Sequence, residues 1–350
     1  MGHVTQDIEL KKALELIQSR LSSPAPAATS PILLSLWPAY VRAEKSRVKS
    51  WATKEGRMRL HVLPYFGARP VGDINIALAD AYREKRAAEY SPRRDKNGSP
   101  KLVSPTTINR ELEDLRRLLA WARHRELIAV DPLGNLDRTK REELFTAEHN
   151  VRRSVIEEPV LAEILAAAGD ILGDHARAFV AFLLLDVDSG MRREEMATLT
   201  WPQIDAAAGV IKVWWSKTDE PRETILSART LEALRLLRLE ARDAKWVFVN
   251  PETGTHYHKD TFSGWMRRVC DVAGIEGPEG RYWLHDGRRT FSTNTARAGV
   301  STADSMELTG HTTVSTFLRY KIKSRQNLLR AKQRIEEYMS ERSGKVGKKP

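Results

Sequence analysis

Residues 210–227 read VIKVWWSKTDEPRETILS. Two short runs rich in β-branched and aromatic residues, 210–215 and 223–227, flank the charged turn SKTDEPR. This is the pattern of two strands joined by a hairpin. Helical patterns stand on either side of it. Upstream, VLAEILAAAGDILG (160–173) and ARAFVAFLLLDV (176–187) are long apolar segments. Downstream the chain is mostly helical in pattern, with WVFVN at 246–250 as a candidate third strand. From about residue 154 the expectation is therefore a mixed α+β domain, mostly helical, with a small antiparallel sheet.

Working outward, residues 32–140 read as helices. The segments LLSLWPAYVRAEKS, WATKEGRMRLHVLPYF and IALADAYREKRAAEY are amphipathic, with basic residues on the polar side. SPRRDKNGSPKLVSP at 91–105 is a polar loop punctuated by proline and glycine. Ser104 then caps a helix with Pro105 in its first turn, and apolar Ile108, Leu112, Leu115, Leu118 and Leu119 follow. Arg110, Arg116, Arg117, Arg123 and Arg125 decorate that helix as ordinary solvated surface or, taken as a set, as a lining for a phosphate backbone. The charged stretch 141–153 is read as the linker between domains. Residues 1–31 are a helix with apolar Ile8, Leu10, Leu14 and Ile17, followed by a Ser/Pro/Ala linker. Residues 326–350 are a further helix and a small basic tail.

The chain has 350 residues, a formal net charge of +11 and a pI of about 9.7. That balance favours a polyanionic partner without dictating a fold. Cys270 is the only cysteine, so neither an intrachain disulfide nor a cysteine metal cluster is expected. The N-terminus has no apolar signal core, and the expected location is the cytoplasm. No glycine-rich nucleotide loop or carboxylate cluster stands out, so no cofactor and no metal are expected.

Four segments hold the chemistry. In DSGMRREEMATLTW, Gly190 supplies a turn before a helix whose N-terminus places Arg192, with Glu195 one turn on. Lys217 stands at the tip of the 210–227 hairpin, where an ammonium either reaches a cleft or keeps a sheet edge soluble. In WLHDGRRTFSTNTARAG, His285 and Arg288 are three apart and share a helix face, a phosphate or oxyanion site. In ELTGHTTVSTFLRYKIKS, Gly310-His311 forms a turn, and Tyr320 follows on a short helix.

In the order Arg192, Lys217, His285-x-x-Arg288, Gly310-His311 and Tyr320, the chain resembles the catalytic domain of the tyrosine recombinases, the phage integrase family. The resemblance covers 154–325 and extends more loosely to the helical block as a core-DNA-binding domain. It implies an all-α DNA-binding domain followed by the α+β catalytic domain. It also implies a site-specific recombinase or integrase that cleaves and rejoins DNA through a 3′-phosphotyrosyl link, without metal or ATP. Tyr320 would attack; Arg192, Arg288 and His311 would bind the non-bridging oxygens; His285 would move the phenol proton; and Lys217 would protonate the leaving 5′ oxygen. The implied partners are double-stranded DNA with specific sites and three further copies of the chain, a homotetramer on two duplexes. The C-terminal helix would dock on a neighbour or on its own domain. Three residues depart from the family pattern. Gly287 stands for a common leucine, Arg289 for a common histidine, and Thr309 for a usual apolar residue. A type IB topoisomerase shares the chemistry, and a binding-only decayed integrase shares the ancestry, so a strand-cleavage assay must separate the three.

Overall fold

The computed structural model describes residues 30–94, 98–134, 136–137, 139, 142, 144–145, 152–214, 221–240, 243–318, 329 and 332–340. The chain divides into two compact units, Met1–Asn150 and Val151–Pro350. The helix expected over 5–21, Lys217, Tyr320 and the basic tail lie outside the described residues.

The first unit is built on α1 (Leu33–Glu44), α2 (Trp51–Arg57), α3 (Leu63–Phe66), α4 (Ile76–Ala87) and α5 (Pro105–His124). A π-helical turn, Met58–Val62, joins α2 to α3. The N-terminus of α5 forms where its residues dictate: Ser104 Oγ accepts from the Thr107 N–H at 3.3 Å, with Pro105 in the first turn. Its buried stripe of Ile108, Leu112, Leu115, Leu118 and Leu119 packs into a core with Trp37, Tyr40, Met58 and Phe66. Glu111 interrupts that stripe with a fully buried carboxylate. It accepts from Arg86 Nε and Nη2 at 2.9 and 2.7 Å and from Tyr82 Oη at 2.7 Å. With that many donors a buried carboxylate is tolerated, and removing one partner would leave an uncompensated charge.

The segment read as a loop at 91–105 is instead partly a hairpin, β1 (Tyr90–Arg94) with β2 (Pro100–Leu102). The signal was present as Asn97-Gly98, a hairpin-turn pair, and Gly98 has φ +81°. Of the arginines on and just after α5, Arg116 and Arg117 both bond Glu113, and Arg125 lies over the Trp121 ring.

The second unit centres on α7 (Ala176–Ser189), which follows α6 (Glu158–Leu172). Phe179, Phe182, Leu183, Leu185 and Val187 are all buried, so the helix is covered on nearly every side. It packs against α6, α9 (Ala228–Glu240) and α11 (His285–Ala298). The short α8 (Arg193–Ala197) follows α7, and α10 (Lys259–Ala273) closes the core with Phe262 stacked on Phe182 at 3.7 Å.

The sheet has the order β3 (Ile204–Asp205), β4 (Val210–Val213), β5 (Arg222–Ile225), antiparallel throughout. The expected antiparallel pair forms, from Val210 opposite Ile225 to Val213 opposite Arg222. The third strand is β3, not 246–250. Val247 and Phe248 are buried in the core, and their segment makes only isolated bridges, Thr200 with Trp246 and Val249 with His256. A short apolar run does not tell a strand from a buried connection. A small hairpin, β6 (Glu276–Gly277) with β7 (Gly280–Arg281), leads into α11. After it come α12 (Thr302–Thr309), α13 (Val314–Leu318) and a helix over 332–340. Arg334 of that last helix lies against Gly299, at the end of α11.

Candidate active site

Gly190 ends α7 in the left-handed conformation, φ +60°. A Cβ there would lie 2.5 Å from the Phe291 ring, so both backbone and space require glycine. The turn delivers Arg192 as the N-cap of α8. That helix is only five residues long, so its dipole adds little, and Glu195 already takes up the Arg192 N–H at 2.9 Å. At this helix start a carboxylate, not the helix dipole, holds Arg192.

Glu195 supplies that carboxylate. Oε1 accepts from Arg192 Nη1 at 2.8 Å. The same carboxylate accepts from Arg222 Nη2 and Nη1, at 2.6 and 3.1 Å. Burial pushes the Glu195 pKa up, but the bonds from Arg222 and Arg192 outweigh it, and the carboxyl stays ionised below its ordinary range. Arg222 also donates to the Leu308 carbonyl at 3.4 Å and lies under Gly310. Gly310 has φ +68°, and a Cβ on it would sit 2.8 Å from the Arg222 guanidinium carbon. Arg222 therefore ties the start of β5 to both motifs. Sequence reading missed it, because a strand-opening arginine has no local mark of burial.

Each motif arginine is held by the glycine carbonyl of another motif. Arg192 Nη2 donates to Gly310 O, and Arg288 Nη1 donates to Gly190 O. Arg288 is buried on α11, with Nη2 3.1 Å from His311 Nε2. His311 is buried, edge-on to Phe317. Burial and the Arg288, Arg192 and Arg222 charges, with His285, push its pKa down to about 3. His285 starts α11 with an exposed face, yet its ring is set among packed atoms. That desolvation, together with Arg288, Arg289 and Arg193, pushes its pKa down to about 4. Arg192, His285, Arg288 and His311 thus come together, while Lys217 and Tyr320 lie outside the described residues.

Two of the departures from the family pattern have a structural reason. A Cβ at Gly287 would lie 2.2 Å from Asp186 Oδ2, so the carboxyl of Asp186 fills the space a leucine would take. Asp186 is fully buried, its Oδ2 has no hydrogen-bond partner among the described residues, and burial raises its pKa well above the ordinary range. Arg289 Nη1 donates to the Arg152 carbonyl. Arg152 in turn pairs with Asp286 at 2.8 Å and donates to Arg281 O, so the segment entering the unit is fastened to the start of α11.

Residues 154–327 match the family model described as the phage integrase family. By this domain the chain belongs to the phage integrase family. A Haemophilus influenzae protein named as an integrase/recombinase is 28% identical over 145 residues, 41% of this chain and 38% of that relative. The chain therefore matches well under two thirds of that relative's length. Solved integrases share the fold. The Tn1549 transposon integrase in complex with a circular intermediate DNA gives a TM-score of 0.66 at 17% identity, covering 86% of this chain and 98% of that one. A lambda integrase dimer bound to a COC' core site gives 0.63 at 16% identity, covering 82% and 94%. Among the described residues of this phage integrase family member, no helix is long and apolar enough to cross a membrane. None of their His, Cys, Asp and Glu side chains form a group of three or more that could hold a metal ion.

Proposed function

We propose that the chain is a site-specific DNA recombinase that cuts one strand at a time through a 3′-phosphotyrosyl bond on Tyr320. The observation that supports this best is the crosswise arrangement in which two buried or half-buried guanidiniums, Arg192 and Arg288, are fixed by the Gly310 and Gly190 carbonyls beside His311. Such a cluster is preorganised for an oxyanion. Charge grows on the non-bridging oxygens of a phosphodiester in the pentacovalent transition state, and fixed donors stabilise it without reorganising.

A phenol has a pKa near 10 and attacks poorly unless its proton is taken. His285, neutral at physiological pH, is an acceptor suited to that proton. Lys217, which lies between β4 and β5 in the sequence, is assigned the proton for the leaving 5′ oxygen. The phosphotyrosyl bond conserves the energy of the broken one, so a free 5′-hydroxyl can religate without ATP. The helical block at 32–140 and the net charge of +11 suit a clamp on duplex DNA. Exchange between two duplexes calls for four copies, as on the Holliday junction that carries a lambda integrase tetramer.

The test uses duplexes from the flanks of the chain's own gene, nicked so that the freed strand is lost after attack. Incubated in excess EDTA, the chain should become covalently joined to the 3′ end and run as an adduct on a denaturing gel. Full DNA binding with no adduct would leave only a binding protein, and relaxation of any supercoiled plasmid without site preference would make it a topoisomerase.

A further inference from the structure

Thr309, the third departure from the family pattern, is the last residue of α12 and is fully buried. Its hydroxyl oxygen lies 2.7 Å from the Ser305 carbonyl and 2.6 Å from His311 Nδ1. A hydroxyl has one proton, and a carbonyl oxygen only accepts. The Thr309 proton is therefore committed to Ser305, one helical turn back. The remaining contact is short enough to need a hydrogen of its own, and only the ring can supply it. Nδ1 is the protonated nitrogen.

Arg288 does not choose between the two nitrogens. Its Nη2 lies 3.1 Å from Nε2 and 3.4 Å from Nδ1, so it sits across the ring and not along the lone pair of either. His311 is pushed to about 3, so at neutral pH the ring holds one proton, and with that proton on Nδ1 the Nε2 is bare.

We propose that Thr309 is a positioning residue: it accepts from His311 Nδ1, and so orients the ring and fixes the tautomer that leaves Nε2 bare. This rests on the strand-transfer reading for its catalytic consequence, but not for the hydrogen-bond assignment itself. It makes His311 Nε2, in the DNA-free site, an acceptor. The tautomer of a histidine is set by the partner of its other nitrogen, and here that partner is a side chain the family pattern does not supply.

The experiment compares the full chain with Thr309→Val and Thr309→Ser. Valine has the shape of threonine without the acceptor, and serine keeps the acceptor. Long-range ¹⁵N–¹H spectra of DNA-free protein labelled at histidine report which ring nitrogen carries hydrogen, with His311→Gln assigning the signal. Wild type and Thr309→Ser should show Nδ1–H, while Thr309→Val should shift toward Nε2–H. Single-turnover adduct formation should slow by about 10- to 100-fold in Thr309→Val, the range for losing a partner that orients a functional histidine, and recover in Thr309→Ser. An Nε2–H tautomer in wild type overturns the assignment, even if the valine variant fails to fold. So does a Thr309→Val that keeps both the Nδ1–H tautomer and the wild-type rate. Nδ1–H in wild type with no adduct from any variant supports the hydrogen bond and overturns the strand-transfer reading instead.

Discussion

Gly287 and Asp186 occupy complementary space: a Cβ on the glycine would lie 2.2 Å from the buried Oδ2 of the aspartate. Replacing an interior helical glycine by alanine ordinarily stabilises a helix by up to about 1 kcal/mol. Here the sign should reverse. Gly287→Ala is expected to destabilise the domain by about 1–3 kcal/mol, the usual range for overpacking. In an Asp186→Ala background the same substitution should lose most of that penalty. Urea unfolding midpoints of the four chains decide the matter, and a higher midpoint for Gly287→Ala alone would rule out the contact.

Arg222 and Glu195 should behave as one unit. Both side chains are buried, at 7% and 4% exposure, and removing one charge strands the other. Arg222→Ala is expected to cost about 3–5 kcal/mol of stability. In a Glu195→Ala background the same change should cost less, with a coupling of about 1–3 kcal/mol. Strictly additive losses would mean that the bridge does not hold Arg192 and the Gly310 turn together.

The two histidines give a pH prediction with a definite sign. His285 and His311 titrate near 4 and near 3 in the folded chain, against an ordinary value of 6.5. The unfolded chain therefore binds more protons over that interval, and stability rises with pH. The contribution of each neutral ring is present above about 6.5 and is lost as pH falls through the folded values. In the DNA-free protein the Cε1 proton resonances of both rings should stay flat from pH 8 to pH 5. A midpoint near 6.5 for either ring would contradict the packing around Arg288.

Some of this was legible in the sequence because it is written locally. The Ser104-Pro105 start of α5, the covered apolar run of α7 and the 210–227 hairpin are each specified by residues within a few positions of one another. The family was legible from ordered motifs at Gly190, His285 and Gly310. What was not legible depends on partners far apart in the chain. Nothing near Arg222 announces Glu195, nothing near Gly287 announces Asp186, and the Val247-Phe248 run gave no sign that it enters the core instead of the sheet. The hairpin at Tyr90–Arg94 was different: its Asn97-Gly98 signal was readable and was outweighed by the surrounding charge and proline.

The central claim is that the Tyr320 oxygen attacks the DNA. Tyr320→Phe removes that one atom and keeps the ring. Wild type and variant, at equal saturating concentration on the same nicked duplex, are to be compared for covalent adduct on a denaturing gel and for complex formation on a native gel. The account predicts no adduct from Tyr320→Phe and a native complex of nearly wild-type affinity. Undiminished adduct from Tyr320→Phe would contradict it and assign the attack to another residue.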